Sequence, residues 1–236
     1  MTLFSPQIPL QLEPTRGQRL DNFVRGANAA TVDALVGVLD EAGAVAHLSG
    51  PPASGKTHLL NALCVEARGR GLTAFYASLR RMPSGAGASL DGLEGMDLVC
   101  VDDLHAVAGR ADWEEALFHL VNRVLAARGR IVFASRVPLA NTQIALPDLA
   151  SRLAWGLRTR LEPLDEAGKR QVLRAECRTL GMDLPPEVED YLVRRERRDL
   201  RSLLRAVGRL QQAVFSAKRR MTVPLARDIL GGAGRD

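Results

Sequence analysis

Cysteine is scarce in this chain. Three of 236 residues are cysteine (Cys64, Cys100 and Cys177), far apart and each in an apolar or helical setting. No metal-ligand spacing links them and no disulfide framework follows from them, so a reduced compartment is expected. Long apolar runs are also missing: none reaches the ~18 residues that a membrane-crossing helix needs. Residues 1–11 lack the basic segment and apolar core of a secretory signal. No internal repeat is visible. The chain is therefore expected in the cytoplasm, with no membrane partner.

What is present divides the chain in three. Residues 1–19 carry Pro6, Pro9 and Pro14. Proline removes backbone donors and blocks regular helix, so this stretch reads as a flexible arm. Residues 20–163 alternate apolar strands with amphipathic helices. Strands are expected at 44–48, 73–77, 98–101, 130–134 and 157–161, helices at 56–67 and 113–127, and a Gly-rich loop at 84–89. Such alternation implies an α/β fold with a parallel five-stranded sheet. Residues 164–236 show no strand pattern and read as four helices. Asp165 caps the first, Pro185 and Pro186 open the second, 199–217 form the third, and the last spans about 222–230. Charge is unevenly placed. Up to residue 164 there are sixteen Lys/Arg and sixteen Asp/Glu; beyond it, sixteen against eleven. A basic helical third suits either contact with phosphates or a solvated Arg-rich face.

Gly50-Pro51-Pro52-Ala53-Ser54-Gly55-Lys56-Thr57 matches the phosphate-binding pattern G-x-x-x-x-G-K-[ST] in full, between an expected strand and an expected helix. The pattern has a plain physical purpose. A phosphate chain needs many donors in a small concave space, which glycine-rich backbone and a helix N-terminus supply. Lys56 reaches terminal phosphates, and the Thr57 hydroxyl can hold Mg²⁺. A second anchor follows from Leu98-Val99-Cys100-Val101-Asp102-Asp103, an apolar strand ending in two acids. Asp102 is placed for the Mg²⁺ shell and Asp103 for polarising an attacking water.

These motifs, followed by a basic helical domain, resemble the AAA+ ATPase class and, within it, the DnaA/Hda family. Leu20-Asp21-Asn22-Phe23-Val24 resembles the segment that lies beside the adenine. The resemblance therefore implies a nucleotide site of Phe23, Val24, Pro51, Pro52, Ala53, Ser54, Gly55, Lys56, Thr57 and His58, holding ADP or ATP with Mg²⁺. Residues 146–156 (LPDLASRLAWG) resemble the Box VII segment, which makes Arg152 an arginine finger acting on a neighbouring protein's nucleotide. Asp199-Leu200-Arg201-Ser202-Leu203 resembles the sensor 2 helix, with Arg201 reaching the bound nucleotide and 164–236 forming the lid. Arginine suits both roles, being permanently charged, planar and multidentate. Ala134-Ser135-Arg136 departs from the pattern, with Arg136 where DnaA has an aspartate.

In the arm, Gln7-Ile8-Pro9-Leu10-Gln11-Leu12 resembles the peptide by which proteins bind the bacterial sliding clamp, with Gln7, Leu10 and Leu12 entering separate pockets. DnaA's long N-terminal domain and its helix-turn-helix domain have no counterpart expected here. The combination is similar to the Hda type, the regulatory inactivators of DnaA. It implies a mostly ADP-bound protein with weak intrinsic ATPase. Such a protein sits on the DNA polymerase III sliding clamp, meets DNA mainly through the clamp, and promotes hydrolysis of DnaA-bound ATP through Arg152. Self-association stays open. The alternative is an autonomous AAA+ ATPase such as a DnaC-type helicase loader. A small nucleotide kinase is a third reading, disfavoured because its acceptor lid would be inserted within the core.

Overall fold

A computed structural model describes residues 17–82, 90–195, 200–217 and 220–231. Gln7, Leu10 and Leu12, the loop expected at 84–89, and Asp199 lie outside them. The chain divides into two compact units between Glu162 and Pro163.

The first unit is built on β1 (Val45–Ser49), β2 (Ala74–Ser78), β3 (Leu98–Asp102), β4 (Arg130–Ser135) and β5 (Leu157–Arg160). They form one parallel sheet in the order β2-β3-β4-β1-β5. Central strands of a parallel sheet are covered on both sides, so they are apolar at successive positions, and the pleat sorts those positions by parity. Val45, Phe75, Val99, Val101, Ile131 and Phe133 pack on one face against Trp113, Leu117 and Val121 of α3 (Ala111–Ala126) and Leu149 and Leu153 of α4 (Pro147–Ala154). Ala46, Leu48, Cys100, Val132 and Ala134 face the opposite way. They meet Val32 and Leu35 of α1 (Ala29–Gly37) and Leu59, Leu60 and Leu63 of α2 (Lys56–Gly69). The result is a three-layer α/β sandwich.

Two of these helices were not announced by the strand–helix alternation. α1 buries only Val32 and Leu35 completely, too few apolar positions to show a helical period. α4 is eight residues long and opens on Pro147, a favoured first helical position. The edge strand β5 can join β1 because residue 156 is glycine. A Cβ there would lie 2.0 Å from the Val45 carbonyl oxygen.

The expectation of a free arm as far as residue 19 meets a difference. The Arg19 N–H donates to Asn22 Oδ1 at 3.0 Å, and the Arg19 carbonyl lies 3.0 Å from His58 Nε2. Arg19 is thus tied to the start of α2 and belongs to the core.

The second unit contains α5 (Glu166–Thr179), α6 (Pro186–Arg195), α7 (Leu200–Ala217) and α8 (Val223–Gly231), with no strand among the described residues. Asp165 Oδ1 accepts from the Gly168 N–H at 2.7 Å, which caps α5. Leu173, Leu192, Leu203, Val207, Leu210 and Leu230 bring all four helices to one core. Beside it Glu189 is buried and accepts from Arg174 Nε at 2.7 Å and from Arg170 at 3.2 Å. Among the described residues no helix is long and apolar enough to cross a membrane.

Candidate functional site

Strand order creates the site. The chain leaves β1, passes over β4 and β3 to reach β2, and later returns beside β1 as β5. The C-terminal ends of β1 and β3 therefore border a crevice of the kind where open α/β sheets hold ligands. The loop of residues 50–55 leaves β1, and the two acids leave β3.

Left-handed backbone at Ala53 (φ 61°) and Gly55 (φ 96°) gives this loop the tight turn that an inward-facing nest of N–H groups requires. Gly55 is also the N-cap of α2, so no side chain occupies the first N–H groups of that helix. A Cβ at Gly55 would approach the Phe23 ring to 2.8 Å. The Lys56 ammonium donates to the carbonyls of Gly50 (2.7 Å) and Pro51 (2.8 Å), which fixes it inside the loop. Ser54 Oγ is buried there with no hydrogen-bond partner among the described residues. A buried hydroxyl without a partner is costly, and a phosphate oxygen is the acceptor that this loop chemistry suits.

The Thr57 hydroxyl donates to Asp102 Oδ2 at 2.5 Å. Parity explains the meeting: Asp102 follows Cys100 on the α2 side of the sheet. One hydroxyl and one carboxylate oxygen form a donor set that suits Mg²⁺, a hard cation that keeps several waters and takes phosphate oxygens. Among the described residues no cluster of three or more His, Cys, Asp or Glu could hold a metal. A metal here would thus lean on the phosphates.

The surroundings of both acids went unread in the sequence. The Tyr76 phenol donates to Asp102 Oδ2 at 3.1 Å. Burial, then the Asp102 charge, push its pKa far up, so it stays a donor. Asp103 sits in the left-handed region (φ 61°) and accepts from Ser78 Oγ at 3.0 Å. Arg80 Nε and His105 Nε2 approach its other oxygen at 3.6 and 3.7 Å. The His105 pKa is lowered, by burial first and then by the charge of Arg136. Arg136 is therefore felt at this group. His105 follows β3 directly, two residues after Asp103, but Tyr76, Ser78 and Arg80 come from β2 and its end and Arg136 from the end of β4. Only the neighbouring of β2 with β3, and of β3 with β4, brings these four to the end of the acids' strand, and that order is not written in local spacing.

Phe23 lies on the loop, with its ring edge-on to His58 (centroids 5.3 Å apart). Val24 follows it, half-buried. The His58 ring is engaged by Arg19 and by Asn22 Oδ1 at 3.1 Å. Its side chain therefore ties the 19–23 segment to α2. Pro51 and Pro52 form the outer part of the loop, Pro52 exposed. Arg201 lies in the first turn of α7, in the second unit, and is exposed.

Arg152 is not part of this cluster. It lies near the C-terminal end of α4, its guanidinium 4.8 Å from the centre of the Trp155 ring. The N-terminus of α4 is held from α3. The buried Glu114 carboxylate accepts from the N–H groups of Gly109 (2.6 Å), Ala145 (2.9 Å) and Leu146 (2.7 Å).

Comparison with known proteins agrees with this architecture. Residues 88–160 match the bacterial DnaA ATPase domain, and residues 165–230 match the lid domain of Hda. The chain belongs to the DnaA/Hda family of AAA+ proteins. Similar solved structures share the fold at low identity. Domain III of the Thermotoga maritima replication initiation protein DnaA superposes with a TM-score of 0.81 at 22% identity, covering 93% of this chain and 98% of that one. A replication initiator DnaA bound to AMPPCP and single-stranded DNA gives 0.67 at 22% identity over 87% of this chain and 69% of that one. The Thermotoga maritima RuvB Holliday junction branch migration motor gives 0.68 at 17% identity over 94% and 74%. The expected AAA+ core with a parallel five-stranded sheet and a C-terminal helical lid is the fold found in this DnaA/Hda-family chain.

Proposed function

We propose that this chain is a regulatory inactivator of DnaA. It holds a nucleotide, ADP in its resting form, in the loop of residues 50–57 with Mg²⁺ at Thr57 and Asp102. It binds the DNA polymerase III sliding clamp through Gln7, Leu10 and Leu12, and presents Arg152 to the nucleotide site of ATP-loaded DnaA. The observation that carries this reading is an Hda-type lid following a DnaA-type ATPase core in one chain. The chemistry of Arg152 supports it. Among the described residues no carboxylate pairs with this guanidinium. A second, uncompensated cation at the transferring phosphate stabilises the charge that builds in the transition state. Bound Mg²⁺ would neutralise phosphate charge in this chain's own site, where Lys56 and the α2 N-terminus orient the phosphates. Its place of action is the cytoplasm, on clamp-bearing DNA.

The test is hydrolysis of DnaA-bound ATP with this chain added, with and without DNA-loaded clamp. The wild-type chain is expected to accelerate hydrolysis only when the clamp is present. Arg152→Ala should fold normally yet lose about 10³-fold of the stimulation, the scale of a trans-acting arginine. Triple alanine replacement at Gln7, Leu10 and Leu12 should abolish clamp binding and, with it, the clamp-dependent stimulation. Intact Asp102 and Asp103 favour a second reading, the autonomous ATPase of helicase-loader type. Fast, clamp-indifferent ATP turnover by the chain alone, with no effect on DnaA, would establish that reading and overturn the first.

A further inference from the structure

α4 ends on an exposed aromatic. Trp155 is 72% exposed, whereas Trp113, the other tryptophan, is 2% exposed in the core. An indole left in water is an expensive surface unless something covers it, and tryptophan is among the residues most enriched at the centres of protein interfaces. Nor is this one on a loose tail. It lies between buried Leu153 and Gly156, whose α-carbon is so close to Val45 that a Cβ would lie 2.0 Å from the Val45 oxygen. Position 155 is three residues after Arg152, the spacing that stacks side chains on one helical face. The guanidinium accordingly lies over the ring at 4.8 Å. Among the described residues no carboxylate joins this stack, so the ring holds the half-buried guanidinium without neutralising its charge.

We propose that Trp155 is a positioning residue for Arg152 and the apolar anchor of the surface that presents it, the occupant being the phosphate-bearing face of an ATP-loaded DnaA. The proposal rests on the arginine-finger reading above. Two features of the stack point to that occupant. An uncompensated guanidinium calls for a polyanion, and an aromatic platform holds a planar cation in place without neutralising it, as a carboxylate would. A flexible arginine loses rotamer freedom when it docks. One already laid on a fixed ring loses less, and this difference appears in the rate rather than in folding.

The experiment uses the full-length chain labelled with 5-fluorotryptophan, which gives one ¹⁹F resonance for each of Trp113 and Trp155. It is titrated with ATP-loaded DnaA in the presence of DNA-loaded clamp. The Trp155 resonance should shift and broaden on docking while that of Trp113 stays in place. In the hydrolysis assay Trp155→Ala should lower maximal stimulation by about tenfold and raise the half-saturating concentration. Trp155→Phe, which keeps a ring face, should recover most of both. Arg152→Ala should keep the Trp155 shift and lose stimulation. If Arg152→Ala abolishes stimulation while Trp155→Ala stimulates like wild type, or the Trp155 resonance does not move, the anchor proposal is wrong and the finger reading stands. If Arg152→Ala stimulates fully, the finger reading itself fails.

Discussion

At the residue scale the first unit depends on a few buried charged side chains that backbone groups hold in place. Lys56 donates to Gly50 and Pro51, so its charge is already inside the phosphate loop before any ligand arrives. Lys56→Ala should therefore leave the fold intact but abolish the rise in melting temperature that ADP or ATP produces. A nucleotide-dependent thermal shift preserved in the variant would show that the loop is not the site. Glu114 is a second such residue. Its buried carboxylate takes three backbone N–H groups, two of them at the entry to α4. Glu114→Gln turns one acceptor oxygen into a donor facing those N–H groups. A loss of about 2–3 kcal/mol is expected in urea unfolding, the scale of a buried polar group left without a partner.

His47 is buried beside Ser135, with Nε2 and Oγ 3.0 Å apart. Ser135 donates its proton to the Val137 carbonyl, so the imidazole must be the donor in the His47–Ser135 bond. Burial lowers the pKa of His47 to about 4. The folded protein thus resists protonating this ring, whereas the unfolded chain protonates it near 6.5. The associated stability is fully present above about pH 6.5 and is lost as the pH falls toward 4, at a cost of about 3 kcal/mol. His47→Gln should flatten the stability profile across that window, as measured by urea unfolding at several pH values.

At the scale of elements, two positions decide whether a segment can dock. Gly156 lets β5 approach β1, and Gly156→Ala would drive a methyl group into the Val45 carbonyl. Roughly 3 kcal/mol or more should be lost, since neither backbone can retreat without breaking the β1–β5 ladder. Circular dichroism melting would register this directly. Asp165 is the corresponding device in the second unit. Asp165→Ala should cost about 1 kcal/mol, and Asp165→Asn much less, because both aspartate and asparagine can cap a helix. Equal losses for the two variants would mean that the carboxylate charge, not its acceptor geometry, stabilises α5.

For the molecule as a whole, acid should weaken both units, by different groups. In the first it acts through His47, as above. In the second it acts through Glu189. Burial opposes its ionisation, yet the hydrogen bonds from Arg174 and Arg170 outweigh burial and hold the carboxyl below its ordinary value. A lowered carboxylate contributes stability above its unfolded pKa and loses it as the pH falls through the folded one, so its effect lies at lower pH than the onset at His47.

Much of this protein is legible along the chain. The phosphate loop, the two acids at the end of β3, the alternation that implies a parallel sheet and the Asp165 cap are local patterns. Each is enforced by chemistry acting within a few residues: backbone donors at a helix start, apolar runs covered on both sides, one carboxylate within reach of an N–H three positions on. The choice of neighbours was settled only in three dimensions. The order β2-β3-β4-β1-β5 sets Tyr76 against Asp102 and Ser78 and Arg80 against Asp103, and brings the charge of Arg136 to bear on His105. It also leaves α4 with a buried Glu114 behind it and Trp155 in solvent beside Arg152. Apart from the local stack of Arg152 on Trp155, these meetings span tens of residues of sequence and are decided by which faces must be buried together, a property of the packed sheet that short-range spacing does not encode.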